Sequence, residues 1–235
     1  MSAQFDFTNQ VVLVTGASGA LGTATVERFH DAGATVCMTA RHPPDAESTI
    51  LNSDRVQFYE GDFTDEADVK RVFETIISDH GRLDALCTLI GAWRGGTSLD
   101  QTDSNEFEFL MDVNLKTMFL ASKHALSHLR ESEGSLVSVS ARSSLKGGEG
   151  DGPYRAAKAG VRLLTQTIAE ENTGTVRANA IMPSLIDTPA NREMLPDADH
   201  DDWPTPDEIA RTILFLCSDA TSVTSGGAVP VYGDI

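Results

Sequence analysis

The sequence predicts a single-domain α/β protein: a doubly wound, mostly parallel seven-stranded sheet flanked by helices. Short apolar, β-branched segments alternate with longer amphipathic segments along all 235 residues, and this alternation is typical of right-handed βαβ units. The short segments are apolar throughout, as expected of parallel strands that helices cover on both faces. No internal linker or repeat interrupts the pattern, so we expect one domain over residues 1–235.

Each element follows from a local signal. Residues 10–15 are an apolar run that stops at a glycine, which predicts the first strand. Residues 20–32 carry apolar side chains at helical spacing and end before Gly33, which predicts the first helix. Further strands are predicted at residues 34–40, 55–60, 83–90, 135–140, 177–182 and 228–232, and further helices at residues 65–80, 104–129 (a long stretch with room for a break), 154–171 and 205–216.

Two long segments, residues 147–152 and 190–204, are predicted to be irregular. Both follow strand ends, where open α/β sheets bind their ligands. We expect the second segment to form a loop over the substrate.

Composition narrows the classes of partner. A net charge of −17 argues against nucleic acid and against an anionic membrane, since both attract basic surfaces. No stretch approaches the roughly 18 to 20 apolar residues of a membrane helix, and the first residues lack a secretory signal, so we expect a cytoplasmic protein with a small-molecule substrate. The six histidines and the isolated Cys37, Cys87 and Cys217 lack metal-ligand spacing, so no metal is predicted.

A glycine-rich turn joins the first strand to the first helix. The segment from Thr15 to Gly22 reads Thr-Gly-Ala-Ser-Gly-Ala-Leu-Gly. Backbone N–H groups at such a helix start bind a pyrophosphate, and glycines let it approach the main chain. Alone, the pattern also fits an ordinary tight turn, but its place after the first strand of a βαβ unit favours a dinucleotide. Its candidate contacts are Gly16, Ser18, Gly19, Ala20, Leu21 and Gly22.

The end of the second strand favours NADP over NAD. An acidic residue there would accept hydrogen bonds from the ribose hydroxyls and repel a 2′-phosphate. This chain has Ala40 followed by Arg41 instead. A guanidinium suits phosphate, and Ser18 could add a hydroxyl. The alternative is that Arg41 is an ordinary surface residue.

Tyr154 and Lys158 are four residues apart and lie on one face of a predicted helix. A tyrosine with a pKa near 10 is a poor acid or base at neutral pH, and a neighbouring ammonium lowers that pKa. Tyr154 could then pass a proton to the atom next to the one that exchanges hydride, while Lys158 also reaches the cofactor ribose. The Tyr-x-x-x-Lys pattern is common by itself; its position after the fifth strand and a glycine-rich loop favours catalysis.

With these motifs in order, the chain resembles the short-chain dehydrogenase/reductases, which have a Rossmann fold, over nearly its whole length. The glycine turn, Asp62, Asn114, the Tyr154–Lys158 pair and Pro183-x-x-x-x-Thr188 carry the resemblance. It implies that Tyr154 is the acid/base, Lys158 its pKa partner and Asn114 the holder of a relay water. It also implies a homodimer or homotetramer assembled through the long helices. The cofactor contacts that it implies are Asp62 and Phe63 to the adenine, Gly91 to the ribose, and Ile186 and Thr188 to the carboxamide.

Three departures from the family pattern point to one branch. Ala20 stands where the turn usually has glycine, and Leu89-Ile90-Gly91 replaces the usual Asn-Ala-Gly. Ala141 occupies the position of the catalytic serine, thirteen residues before Tyr154, with Ser140 and Ser143 nearby but out of register. The stretches at residues 91–96, 140–145 and 187–203 resemble those of dihydropteridine reductases, which use the Tyr–Lys pair without the serine and favour NADH.

Three hypotheses follow. The first is an NADP-dependent reductase of a conjugated, pterin-like compound, with Trp93 and Trp203 either as pocket walls or as ordinary packing residues. The second is an ordinary ketone or secondary-alcohol oxidoreductase in which Ser140 or Ser143 takes the role of the missing serine. The third is a non-catalytic dinucleotide-binding sensor, which Ala141 favours and the intact Tyr154, Lys158 and Asn114 oppose.

Overall fold

Within residues 5–43 and 53–234, which the computed structural model describes, seven strands form one sheet. They are β1 (Val11–Thr15), β2 (Thr35–Ala40), β3 (Val56–Glu60), β4 (Ala85–Thr88), β5 (Ser135–Val139), β6 (Arg177–Pro183) and β7 (Ala228–Val231). Their order is β3-β2-β1-β4-β5-β6-β7, and every pairing of neighbours is parallel. The predicted seven-stranded, doubly wound sheet is confirmed. The predicted domain ends at residues 1 and 235 lie outside the described range.

The described residues also form seven α-helices, which cover both faces of the sheet. Alternation along β1 separates two apolar cores, because Val12 and Val14 point to one face and Val11 and Leu13 to the other. Residues of α1 and α7 belong to the first core, and residues of α2, α4 and α5 to the second. The helices are α1 (Ala20–Asp31), α2 (Glu66–His80), α3 (Ser104–Met111), α4 (Thr117–Ser132), α5 (Gly152–Glu171), α6 (Pro189–Met194) and α7 (Pro206–Cys217).

The long helical stretch predicted at residues 104–129 is continuous but irregular. A π-helical turn, Asp112–Lys116, joins α3 to α4, and the stretch ends at Ser132. A π-helical turn places one extra residue in the helix, so the stretch changes phase without breaking. The break considered in the sequence prediction therefore corresponds to this π-helical turn, which contains Asn114.

The segment predicted to be irregular at residues 190–204 contains α6 and a short 3₁₀ turn, His200–Asp202. That prediction is wrong for α6. Thr188 caps the helix, because its side chain accepts a hydrogen bond from the backbone N–H of Asn191, and Pro189 occupies the first turn.

All three cysteines are buried and unpaired. Among the described residues, no helix is both long and apolar enough to cross a membrane.

Candidate active site

The glycine turn between β1 and α1 leaves room for a ligand against the main chain. Gly16 has a φ of +67°, which favours glycine. A Cβ on Gly22 would lie 2.2 Å from the carbonyl oxygen of Gly16, so only glycine fits that position without a backbone shift. Gly19 precedes α1 without a side-chain cap, and the first turn of the helix carries no acidic residue. The free backbone N–H groups at the start of α1 therefore have neither a side-chain cap nor a nearby acidic residue, and they can bind a pyrophosphate in the cleft.

Tyr154 and Lys158 lie one turn apart on α5. The Lys158 ammonium is 5.9 Å from the centroid of the Tyr154 ring and donates a hydrogen bond of 2.9 Å to the carbonyl oxygen of Val139. Lys158 is only 4% exposed. Lys158 is buried because it lies on the face of the amphipathic α5 that packs against the sheet, together with Ala157 and Val161.

Burial controls the titration of both groups. It raises the pKa of Tyr154 to about 12, with a smaller contribution from the charge of Asp151, and it lowers the pKa of Lys158 to about 8. The expectation that Lys158 lowers the pKa of Tyr154 is therefore wrong for this structure. The ammonium bonds to a carbonyl rather than to the phenol, so desolvation of the phenolate dominates.

Asn114 lies in the π-helical turn and is buried beside the pair. Its Nδ2 donates to the carbonyl oxygens of Ala92 (2.9 Å) and Leu110 (3.0 Å), and its Oδ1 accepts from the backbone N–H of Ala92 (3.2 Å). A Cβ on Gly91 would lie 2.8 Å from Asn114 Oδ1 and 2.9 Å from Lys158 Nζ. These two polar atoms therefore flank a space that Gly91 keeps open.

The serine position is filled by a buried methyl group, since Ala141 is 7% exposed. The Ser140 hydroxyl donates to the carbonyl oxygen of Lys158 (2.7 Å) and contacts Ser144 Oγ (3.1 Å), so its hydrogen-bonding capacity is occupied by the fold. Ser140 and Ser143 both line the cleft, but only Ser140 has its hydroxyl bonded to the carbonyl oxygen of Lys158. Of the two serines in the second hypothesis, Ser143 is thus the one that structure leaves available.

A cleft of about 820 Å³ opens at the carboxyl ends of the strands, within the size range of cofactor and small-molecule sites. The glycine turn, the segments after β4, β5 and β6, the first turns of α5, and α6 form its walls. Ten of the predicted site residues line it: Gly16, Gly19, Ala20, Leu21, Gly22, Gly91, Tyr154, Lys158, Ile186 and Thr188.

Five predicted site residues lie outside the cleft lining. Asn114 is just beneath it, against Ala92. Ser18 and Arg41 are exposed, at the glycine turn and at the end of β2. The Asp62 carboxylate accepts hydrogen bonds from the backbone and hydroxyl of Thr64, and the Phe63 ring is buried in the core, so only the backbone of Phe63 could meet an adenine.

The two tryptophans have different positions. Trp93 lines the cleft and is 47% exposed. Trp203 is buried, with its ring 4.7 Å from that of His200, and it lies outside the lining. The pocket-wall interpretation therefore fits Trp93, and the packing interpretation fits Trp203.

The lining also contains residues that the sequence analysis did not single out. The charged ones are Arg142, Lys146, Asp151 and Arg155. Their positions directly after β5 and at the start of α5 were the available signal. Which side chains turn toward the cleft depends on tertiary contacts, as shown by Arg155, which binds Asp151 and the carbonyl oxygens of Ser143 and Lys146.

Metal coordination is not suggested by the described residues, which contain no cluster of three or more His, Cys, Asp or Glu side chains that could hold an ion.

Comparison with known proteins identifies the family. Residues 16–233 match the family model described as enoyl-(acyl carrier protein) reductase. The chain is 30% identical to a 3-oxoacyl-[acyl-carrier-protein] reductase of Thermotoga maritima, over 96% of this chain and 97% of the relative. It is 30% identical to a meso-2,3-butanediol dehydrogenase of Serratia marcescens (97% and 94%) and 28% identical to a dihydropteridine reductase of Dictyostelium discoideum (93% and 92%).

A solved structure agrees with these sequence matches. The ligand-free aldohexose dehydrogenase of Thermoplasma acidophilum superposes with a TM-score of 0.88 at 27% identity, over 98% of this chain and 95% of that one. The matched span, the parallel sheet and the shared identity lead to one conclusion: the chain belongs to the short-chain dehydrogenase/reductase family and is an NAD(P)-dependent oxidoreductase.

Proposed function

We propose that this protein transfers hydride from NADPH to a small conjugated, pterin-like or carbonyl substrate, with Tyr154 as the proton donor. The proposal rests on two polar atoms that meet beside Gly91. A Cβ on Gly91 would lie 2.8 Å from Asn114 Oδ1 and 2.9 Å from Lys158 Nζ, so both atoms border the open space there. Tyr154 lines the same cleft one helical turn away.

Each of the three polar residues has a distinct role. Tyr154 supplies the proton that reduction requires: burial raises its pKa to about 12, so the phenol is protonated at neutral pH, and as a weak acid it depends on its position against the reacting atom. Lys158 holds its ammonium beside that phenol, fixed by the carbonyl of Val139. Asn114 fixes the backbone of Ala92 through two hydrogen bonds, which sets the position of the segment after β4.

The dinucleotide, when bound, supplies the hydride. The glycine turn fits its pyrophosphate, since Gly16, Gly19 and Gly22 line the cleft where the uncapped α1 begins. Arg41 and Ser18 are exposed, and residues 40–43 contain no carboxylate, which favours a 2′-phosphate. The remaining proposed contacts are Asp62 and Phe63 at the adenine end, and Gly91, Ile186 and Thr188 at the nicotinamide end.

Ala141 and Trp93 support a conjugated substrate. A methyl group at the serine position cannot polarise a simple carbonyl, whereas a conjugated imine-like system accepts hydride with less polarisation. Trp93 offers an aromatic face in the cleft. The 28% identity to a dihydropteridine reductase is consistent with this interpretation.

A second candidate is the reduction of ordinary ketones or the oxidation of secondary alcohols. The cleft position of Ser143 favours it, as does the similarity to a meso-2,3-butanediol dehydrogenase. The sensor hypothesis has less support, because Tyr154 and Lys158 line the cleft and Asn114 lies beside it, and because the chain matches a reductase family model.

Replacing Tyr154 with phenylalanine tests the catalytic assignment. We expect NADPH-dependent turnover to fall by about 10²- to 10⁴-fold, the usual contribution of a positioned acid, with NADPH affinity little changed. Turnover that survives undiminished would show that another group donates the proton. A parent protein that binds NADPH tightly but turns over no substrate would revive the sensor hypothesis.

Steady-state assays separate the two substrate classes. Quinonoid dihydropterin and a panel of ketones would each be tested with NADPH and with NADH. Turnover of the dihydropterin supports the conjugated substrate, and turnover of ketones alone would rule it out.

A further inference from the structure

The two ends of the cleft lie on different strands. The glycine turn follows β1, whereas Arg142 and Lys146 follow β5, which is two strands away in the sheet order. Neighbouring strands are about 4.8 Å apart, so the β5 end lies roughly 10 Å from the pyrophosphate site. Arg142 points farther in the same direction, because its guanidinium lies 4.8 Å from the ring centroid of Tyr232, just after β7.

This far end is cationic in a strongly acidic protein. Besides Lys158, the lining has three cations, Arg142, Lys146 and Arg155, and one carboxylate, Asp151. Arg155 pairs with Asp151. Among the residues that the structure describes, neither Arg142 nor Lys146 has a carboxylate partner. Against 35 acidic residues and a net charge of −17, two unneutralised cations on one wall form a local positive site.

The geometry of Arg142 leaves its donors available. A guanidinium that stacks on an aromatic face keeps the N–H groups at its edge free for a planar acceptor such as a carboxylate. The segment that carries both cations is also held in place. Arg155 donates to the carbonyl oxygens of Ser143 (3.1 Å) and Lys146 (3.2 Å), so this wall is anchored to α5.

The remaining wall at this end is apolar and open. Trp93, Leu185, Met194 and Leu195 line the cleft with 47%, 39%, 51% and 39% of their surfaces exposed. Exposed large apolar side chains around a cleft are typical of a surface that a ligand covers.

We propose that the substrate is an anion: a planar or apolar body against Trp93 and α6 that bears a carboxylate bound by Arg142 and Lys146. The inference rests on the proposed function, since it assigns this end of the cleft to substrate. It concerns the part of the substrate away from the reacting carbon and applies equally to a conjugated imine or a ketone.

Two matched probes test the charge requirement. In the presence of saturating NADPH, we expect the parent protein to bind 2-naphthoate about tenfold more tightly than 2-naphthamide by calorimetry, the scale of one good charged hydrogen-bonded pair. In the double variant Arg142→Gln/Lys146→Gln, this preference should fall to within about twofold, with naphthamide affinity unchanged. The control is Arg94→Gln/Lys70→Gln, which removes the same charge outside the cleft lining and should keep the preference.

Equal affinities in the parent, no binding of either probe, or a preference that survives in the double variant would each overturn the proposal. Displacement of naphthoate by NADPH would also overturn it, because the cations would then belong to the cofactor site. Failure of the proposed function looks different. In that case, NADPH-dependent turnover is absent or insensitive to Tyr154→Phe, while the preference for naphthoate persists.

Discussion

The burial of Lys158 makes the stability of the fold depend on pH. A pKa lowered to about 8 means that the folded protein binds this proton less tightly than the unfolded chain, where the pKa is 10.5. Below pH 8 both states are protonated and the full desolvation cost opposes folding. Between about pH 8 and 10.5 the unfolded state binds more protons, so this group contributes a rise of stability with pH.

The variant Lys158→Met isolates this effect. The difference in free energy of unfolding, parent minus variant, should rise by up to about 1.4 kcal/mol per pH unit between pH 8 and 10, measured by urea denaturation. Below pH 7 the difference should be flat, with the variant the more stable protein and inactive. A flat difference across the whole range would show that the ammonium is solvated in solution.

Arg41 determines nucleotide preference in our proposal. The substitution Arg41→Asp should weaken NADPH binding by about 10- to 100-fold, the scale of losing a hydrogen bond to a charged group, and should improve NADH binding. Fluorescence titration of both nucleotides measures this. Arg55→Gln, directly before β3, is a suitable control, since that guanidinium bonds to the carbonyl oxygens of His30 and Ala34. Unchanged NADPH affinity in Arg41→Asp would remove the argument for NADP.

At the scale of elements, the glycine turn couples phosphate binding to the packing of α1 on β1. Because a Cβ on Gly22 would meet backbone atoms of Gly16 and Ala17 at 2.2 and 2.6 Å, the helix can approach the strand this closely only with glycine there. Ala20, by contrast, is exposed at the start of α1, so the departure from the family pattern at that position costs no packing.

The substitution Gly22→Ala should therefore lower the free energy of unfolding by about 1–3 kcal/mol through overpacking and weaken NADPH binding in parallel. Denaturant unfolding and nucleotide titration measure the two effects. Gly147→Ala is the matched control, because its Cβ would meet nothing within 4 Å. If Gly147→Ala loses as much stability as Gly22→Ala, the close contact of Gly22 with the turn is not the cause of the loss, because the unfolded-chain effect of a Gly→Ala change is stabilising.

Sequence patterns predicted regular elements better than irregular ones. Strands such as β1 and helices such as α2 follow from apolar periodicity and caps, which act locally. The π-helical turn at Asn114 had no such signal, since its extra residue is visible only in the hydrogen-bond pattern. Helix α6 had signals, Thr188 as cap and Pro189 in the first turn, but its short length and polar sequence gave no periodicity.

The candidate site divides in the same way. The glycine turn, Tyr154 and Lys158 follow from motifs with fixed spacing. The roles of Arg142, Lys146 and Arg155 depend on which strands are neighbours and where loops cross, so sequence spacing alone did not reveal them.

At the scale of the whole molecule, exposed apolar side chains on the helices of one sheet face favour self-association. Phe107 of α3, Phe119 of α4 and Leu163 of α5 are 47%, 48% and 55% exposed. We predict a dimer or tetramer of the 25.2 kDa chain, which light scattering after size exclusion would measure. Phe119→Glu/Leu163→Glu should shift it toward monomer, and Leu99→Glu, in a short 3₁₀ turn before α3, should not. A monomeric parent would contradict the prediction.

The π-helical turn makes the length of one helix part of the active site. Each residue of an α-helix advances about 100° around the axis, so removing one residue between 112 and 116 would restore regular winding and swing the amide of Asn114 away from Ala92. An insertion or deletion within this turn would displace Asn114, whereas an exchange of an exposed polar side chain around it would not. Among homologous chains, this stretch should therefore vary in composition while keeping a constant number of residues.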